Sequence, residues 1–322
     1  MVNLFDRIYL TAKLIYLATA MKPFVIAVSI LLCLNACKSN EPQPDHTLDL
    51  NPDTDSIYHY SAVLSESSMM NEKKSITTLS LDYSLHCIER KDSLRIFELV
   101  FEKLTEERKT QGDSSKSPAP PTKKGEIRID LSDTSNPMMR QYYALRDSLF
   151  KKVVNQSLLI TCNDKGQVIS VNGFDEIGNR IASQDTAYRD GVPMLRDRIG
   201  PKIMTDILHQ SFFYLRKQPI DSGASWVNNI LLIAKAPVKY SNMVTVNRIV
   251  GDSVYLQIKS MMSAKTGEEG AVYNQGEQNG TVLTSLSTGM PIQMHLSETS
   301  VYKADTYDVE KGKTFSLRII RK

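Results

Sequence analysis

Alternating apolar and polar positions recur along the chain from residue 57 onward. The alternation is clearest over 75–89, where the apolar positions are Leu79, Leu81, Tyr83, Leu85 and Cys87. Successive side chains of a β-strand point to opposite faces, so this period of two predicts a strand with one buried face. Segments 58–65 and 94–104 alternate in the same way on either side of it. We therefore predict an antiparallel meander of three strands.

Helical spacing of apolar residues interrupts the strand patterns three times. Asn136–Pro137 supplies a cap and a first-turn proline for a helix that continues to about residue 152. A second helical segment follows Gly173, and a third begins at Gly200–Pro201. The third has the broadest apolar face, which predicts packing against a sheet. That face consists of Ile203, Met204, Ile207, Leu208, Ser211, Phe212 and Leu215.

Strand patterns occupy most of the remaining chain. Segments 157–163 and 167–171 flank Asp164–Lys165–Gly166, which predicts a hairpin. Further strand patterns lie at 226–235, 238–250, 253–262, 280–287, 292–302 and 314–321. Strands in series with few helices between them pair antiparallel. The sequence therefore predicts the α+β class, with a long curved antiparallel sheet, shaped like half of a barrel, packed on two or three helices.

The N-terminal segment has the pattern of a bacterial export signal. Met21–Lys22 is followed by an apolar run over 24–34, which is too short for a membrane span of about 20 residues. The next box, Leu34–Asn35–Ala36–Cys37, resembles the lipobox of bacterial lipoproteins. That resemblance implies that Cys37 carries a diacylglyceryl group and an amide-linked acyl chain such as palmitate. The alternative is an ordinary signal peptide with a coincidental cysteine.

These patterns also predict the organisation of the chain. Residues 1–36 are the signal peptide, and 1–20 are either an upstream mis-start before Met21 or an uncleaved amphipathic anchor. Residues 37–56 are rich in Pro, Asp and Asn, which predicts a flexible tether. Residues 57–322 form a single domain, in which 105–125 is a disordered loop. Lys38 after the cysteine favours outer-membrane localisation by resemblance to lipoprotein sorting, and leaves the periplasmic or surface face open.

Charge and cysteine content narrow the partners and the chemistry. The net charge is only +3 and no basic stripe occurs, which argues against nucleic-acid binding. Cys87 and Cys162 both continue the apolar face of a predicted strand. They form either a disulfide, which an oxidising compartment permits, or two separate buried thiols.

Catalytic motifs give no consistent picture. Segments 148–151 (SLFK), 170–172 (SVN) and 265–267 (KTG) imitate the motif order of penicillin-binding proteins. Ser148 nevertheless falls late in its predicted helix, and the first two segments lie too close together for an intervening helical subdomain. The histidines show no metal-ligand spacing. We therefore predict no catalytic residue, no metal site and no cofactor, and a non-enzymatic protein.

Three segments resemble those of uncharacterised outer-membrane lipoproteins of Gram-negative bacteria. They are 160–171 (ITCNDKGQVISV), 221–226 (DSGASW) and 286–291 (LSTGMP). Their order and the predicted architecture are also distantly similar to the lipoprotein carrier proteins of the periplasm. Those carriers hold acyl chains between a half-open barrel and its helices. The resemblance implies an envelope protein, and it transfers no functional residue because no carrier motif position is matched.

Two main functional hypotheses follow. In the first, a membrane-anchored lipoprotein encloses a pocket for a lipid or another hydrophobic ligand, lined by Phe212, Phe213 and Leu215; the alternative for these side chains is a solid core. In the second, a structural module binds an envelope protein through a strand edge or through the 105–125 loop. A hydrolase is a third and weaker hypothesis. Membrane contact would come from the acyl chains on Cys37.

Overall fold

The computed structural model describes residues 46–70, 73–111, 137–232, 238–266, 272–304 and 307–320. Eleven strands of this part form one antiparallel sheet: β2 (Ile57–Met70), β3 (Lys73–Lys91), β4 (Leu94–Gln111), β5 (Ser157–Asn163), β6 (Val168–Asn172), β8 (Ser225–Leu232), β9 (Val238–Val250), β10 (Ser253–Thr266), β11 (Val272–Ser285), β12 (Pro291–Ala304) and β13 (Tyr307–Ile319). Their order in the sheet is β6-β5-β4-β3-β2-β13-β12-β11-β10-β9-β8. A separate two-stranded sheet pairs β1 (His46–Leu48) with β7 (Arg216–Ile220).

The described helices lie between β4 and β7 in the chain. They are α1 (Pro137–Val153), α2 (Phe174–Gln184), α3 (Thr186–Arg189), α4 (Val192–Ile199) and α5 (Pro201–Phe212). Pro201 occupies the first turn of α5, where its missing N–H costs no hydrogen bond. None of the described helices combines the length and the apolar character that crossing a bilayer requires.

The core lies between the helices and one face of the sheet, which we call the inner face. The alternating side chains of β3 are buried there from Leu79 to Cys87, as the period of two predicts. Opposite them, α5 buries Met204, Leu208 and Phe212. Each buried Leu or Phe side chain contributes about 1.5–3 kcal/mol to folding. The inner face is therefore the surface that fixes the helices.

The predicted α+β class is wrong. Most of the described residues lie in strands, and the helices form only a minor layer against one face of a sheet that is not closed. The long strands explain the error, because several are longer than their alternating segments predict. β2 continues to Met70 and β10 to Thr266, well past the segments that alternate in sequence.

The predicted tether and loop also need correction where the structure describes them. Residues 46–56 are not a flexible tether, because β1 pairs with β7 and both Leu48 and Leu50 are buried. Leu50 N–H donates to the Asp164 carbonyl at 2.9 Å. The first part of the predicted loop, 105–111, belongs to β4 and pairs with β3. Residues 1–45 with Cys37, and residues 112–136 with the rest of that loop, lie outside the described residues.

Of the two alternatives for Cys87 and Cys162, the disulfide is not formed. Both residues are buried free thiols. Cys87 lies on β3 and Cys162 on β5, with β4 between them. Two inter-strand spacings amount to about 10 Å. A disulfide needs Cα atoms within about 7 Å of each other. The second alternative, two separate buried thiols, therefore describes the structure.

Candidate functional site

A cavity of about 460 Å³ opens between the inner face of the sheet and helices α4 and α5. We call it the cleft. Helix α5 contributes Ile203, Ile207 and Gln210 to one wall. The facing side chains come from eight strands and include Leu64, Leu232, Val238, Tyr240, Met262, Glu298 and Lys313. The cleft therefore has apolar patches and polar groups on both walls, with Arg198, Asp206 and Gln210 on the helical side.

The register of the sheet sets a boundary between the solid core and the cleft. One row of paired inner-face positions across six strands is almost entirely apolar: Val244, Ile258, Gly280, Leu296, Phe315 and Leu64. Two residues further along each of these strands, the paired positions on the same face are all polar: Asn242, Ser260, Gln278, Glu298, Lys313 and Glu66. Burying polar groups is costly unless they are hydrogen-bonded. This polar row separates the main core from a small second cluster of Leu232, Tyr240 and Met262.

Hydrogen bonds order the buried part of the polar row. Tyr240 Oη donates to Glu298 Oε2 at 2.7 Å, and Ser260 Oγ donates to Asn242 Oδ1 at 2.6 Å. Burial, together with the Glu298 carboxylate, raises the pKa of Tyr240 well above its usual value. The phenol therefore remains a donor at neutral pH. Asn242 Nδ2 is buried without a hydrogen-bond partner among the described residues.

A buried carboxylate ties the helices to the sheet at one side of the cleft. Glu106 on β4 forms an ion pair with Arg198, whose Nε lies 2.6 Å from Oε2, and it accepts a hydrogen bond at Oε1 from Arg146 Nη1 at 3.4 Å. The Glu106 side chain is only 5% exposed. Arg146 belongs to α1 and also contacts Asp147 at 2.8 Å. This cluster positions Arg198, which lines the cleft.

A second cavity, of about 520 Å³, lies at the end of α5. It is lined by residues 165–168, 215–218 and 226–231 together with His209 and Phe213. We call it the seam pocket, because it contains residues of β6 and β8, the two edge strands of the long sheet. Gly166 forms the hairpin turn at φ +72°, and a Cβ there would lie 2.4 Å from Phe212 Cβ. Glycine thus permits close packing of the hairpin on α5.

The predicted pocket residues separate into two groups. All three of Phe212, Phe213 and Leu215 are buried. Phe213 and Leu215 border the seam pocket, whereas Phe212 packs in the core and lines neither cavity. The cleft uses Ile203, Ile207 and Gln210 instead. These three residues recur at helical spacing on α5, and their row ends in the polar Gln210. That pattern was the sequence signal for a helical wall of the cleft.

The described residues contain no group of three or more His, Cys, Asp or Glu side chains arranged to hold a metal ion. Ser148, the first residue of the penicillin-binding-like pattern, has its hydroxyl 2.9 Å from Tyr188 Oη. Ser170 lies on β6, where its hydroxyl accepts a hydrogen bond from Asn172. The hydroxyl of each serine is therefore hydrogen-bonded to another side chain of the fold.

The amino-acid sequence matches a protein-family model. Residues 122–291 match the model of a family of unknown function, DUF6263. The chain belongs to the DUF6263 family. The segment that matches DUF6263 includes all five described helices and the strands from β5 to β11, so it supplies the helical wall of the cleft and the whole lining of the seam pocket. The prediction of an uncharacterised family is thereby confirmed, and lipoprotein status stays a prediction.

No curated protein matches this DUF6263 chain. Among solved structures, one titled "Lipid-protein interactions in lipovitellin" is similar, with a TM-score of 0.46 and 9% sequence identity. The alignment covers 84% of this chain and 25% of the lipovitellin chain. The DUF6263 chain therefore spans about a quarter of the length of that structure.

Proposed function

We propose that this protein is an envelope lipoprotein, anchored through Cys37, that holds an amphiphilic molecule in the cleft. The ligand class is an acyl chain with a polar head group. The observation that carries the proposal is the cleft itself, an internal cavity of about 460 Å³ with apolar side chains on both walls and a polar row across its sheet side. Small-molecule sites fall in the range of about 300–1,000 Å³.

The two kinds of lining match the two parts of an amphiphile. Ile203, Ile207 and Met262 offer apolar surface, which favours hydrocarbon because burying it removes water from both surfaces. Arg198 and Lys313 offer charged donors at the same cavity. Donors of this kind bind the oxygen atoms of a head group. A ligand without a polar end would leave the charged donors without a new partner.

The anchor is proposed from the sequence, in which Cys37 lies nine residues before His46, the first described residue. Two or more acyl chains would make the attachment durable. We propose the outer membrane as the site of attachment, because Lys38 follows the cysteine.

The test is to block the cleft and compare the lipid content of the protein. Ile203→Trp places an indole in the cleft from a side chain that is only half-buried, so the fold should tolerate it. Lys202→Trp is the matched control, because Lys202 is exposed on the same helix and does not line the cleft. Each purified protein is extracted with organic solvent and analysed by mass spectrometry, and then titrated with a dansyl-labelled fatty acid.

The expected result is that wild type and Lys202→Trp carry an extractable amphiphile and bind the probe, whereas Ile203→Trp loses both. A loss of about tenfold in affinity corresponds to 1.4 kcal/mol. Equal probe binding by the two tryptophan variants, with circular dichroism showing both folded, would contradict the proposal. So would a wild-type protein that contains no amphiphile and does not bind the probe.

A further inference from the structure

Three residues that line the seam pocket each carry a buried hydrogen-bond donor without a partner. The donors are His209 Nδ1, Arg216 Nε and Trp226 Nε1, and none has a hydrogen-bond partner in the described structure. All three residues line the same cavity of about 520 Å³. Buried polar groups in native structures are nearly always hydrogen-bonded to protein or to ordered water. Three unpaired donors beside one cavity therefore favour an acceptor there, which a rotation of these half-buried side chains would bring within hydrogen-bond distance.

The tautomer of His209 follows from its contact with the sheet edge. Val168 N–H, at the start of edge strand β6, donates to His209 Nε2 at 3.1 Å. A neutral imidazole that accepts at one nitrogen carries its hydrogen on the other, so Nδ1 is a donor. Burial lowers the pKa of His209, which keeps the ring neutral near pH 7. The ring thus joins the hairpin edge to α5 and carries a buried N–H at Nδ1.

Arg216 and Trp226 form the second part of the site. The Arg216 guanidinium lies over the Trp226 ring, with Cζ 5.2 Å from the ring centroid. Stacking of this kind holds the planar guanidinium in one orientation. Arg216 Nη2 donates to Gln218 Oε1 at 2.7 Å, which leaves Nε for another acceptor. The arginine is thus partly fixed before any ligand arrives.

The charge of the lining selects the kind of acceptor. Lys165, Arg216 and Lys217 line the pocket, and its described lining contains no Asp or Glu. Lys217 pairs with Asp164, which stands outside the lining. A neutral acceptor would satisfy the three donors, but it would leave the charges of Lys165 and Arg216 uncompensated. Charge-assisted hydrogen bonds to an anion are also stronger than neutral ones.

We propose that the seam pocket binds an oxyanion, the carboxylate or phosphate group of a small ligand, through Arg216, Trp226 and His209. The site is separate from the cleft and does not depend on an amphiphile being bound there. Ordered water in place of an anion is the competing explanation for the three donors. It predicts no saturable response to added anions.

The composition of the chain makes the site directly observable. Trp226 is the only tryptophan of the protein. Its indole N–H resonance and its fluorescence therefore report this pocket alone. The purified protein is titrated with inorganic phosphate, with acetate and with dihexanoyl phosphatidic acid, and sodium chloride keeps the ionic strength constant. The proposal predicts a saturable shift of the indole resonance with at least one of these oxyanions.

Two substitutions separate a specific site from general charge effects. Arg216→Gln should weaken the binding about tenfold or more, because the oxyanion loses its charged partner. Arg248→Gln is the matched control, since Arg248 also stacks on an aromatic ring, Tyr255, at 4.1 Å and lies outside the pocket. It should bind as wild type does. If Arg216→Gln does not fold, Arg216→Lys retains the charge without Nε and should still weaken binding.

The outcomes are distinct. Tightest binding of the phosphatidic acid would identify a lipid head group, and equal binding of inorganic phosphate would identify a free anion. Tightest binding of acetate would identify a carboxylate ligand. A wild-type resonance that responds to no oxyanion more than to chloride would overturn the proposal, as would equal affinity in wild type and a folded Arg216 variant. Because the cleft test reads lipid content in Ile203 variants, either proposal can fail alone.

Discussion

Replacing Glu106 by glutamine tests whether the buried ion cluster holds the helices on the sheet. At an effective dielectric constant of about 20, the carboxylate attracts Arg198 at 2.6 Å by roughly 6 kcal/mol and Arg146 at 3.4 Å by roughly 5 kcal/mol. Desolvation of the charges offsets most of this attraction. Removing one partner of a buried pair costs roughly 3–5 kcal/mol, because the other charge stays buried without compensation.

The structure places the expected cost of Glu106→Gln near the lower end of that range. Arg198 is 34% exposed and can be hydrated, and Arg146 keeps its contact with Asp147. We therefore expect the free energy of unfolding to fall by about 3 kcal/mol. Urea denaturation followed by circular dichroism measures the change. The m-value should stay constant, since the surface exposed on unfolding is the same.

The neighbouring residue provides the control for this experiment. Glu107 points to the opposite face of β4, where it pairs with Lys109, and both side chains are 72% exposed. Exposed pairs contribute about 0–1 kcal/mol, so Glu107→Gln should change stability by less than about 1 kcal/mol. Adding Arg146→Met to Glu106→Gln should recover part of the loss, because the uncompensated charge is removed. Equal effects of the two glutamine variants would refute the reasoning.

Three further predictions concern buried groups. Leu50→Ala should lower the free energy of unfolding by about 2–5 kcal/mol in urea, because Leu50 is completely buried, and a loss under about 0.5 kcal/mol would contradict its placement in the core. Burial lowers the pKa of His209, so the unfolded chain takes up the proton first as the pH falls below about 6.5. Stability should be full above that pH and decrease below it, with a smaller decrease in His209→Gln; equal pH profiles in thermal melts would contradict this. Burial raises the pKa of Cys162 from 9.0 to about 12, so its thiolate at pH 8 is reduced about a thousandfold. Peptide mapping after iodoacetamide treatment should find Cys162 modified only after unfolding, and rapid modification of the native protein would show that it is not buried.

The parts of the fold that are visible in the sequence are those decided locally. The hairpin predicted at 157–163 and 167–171 corresponds to β5 and β6, because its turn residues and alternation lie side by side in the chain. The inner face of β3 could also be predicted from the sequence, because the helix layer that covers it requires an apolar residue at every second position. Local pattern and tertiary burial agree in both places.

Other parts depend on contacts that are distant in sequence. Residues 46–50 contain only two apolar positions, and they are buried because β7, far along the chain, pairs with β1. Residues 105–111 contain charged residues at most positions, which resembles a loop, yet β3 provides the partner that keeps them in a strand. Glu106 within that segment is buried only because Arg146 and Arg198 meet it from two helices. No local pattern carries that information.

Both proposed sites share helix α5 as a common wall. Ile203, Ile207 and Gln210 face the cleft, whereas His209 faces the seam pocket. The polar residues near the end of α5 therefore interrupt its apolar face for two separate reasons. Gln210 lies where the helix passes the polar row of the sheet, and His209 accepts the free N–H of an edge strand. An apolar residue at 209 would leave the Val168 N–H without its partner, so the histidine is required by the open edge of the sheet whether or not an anion binds.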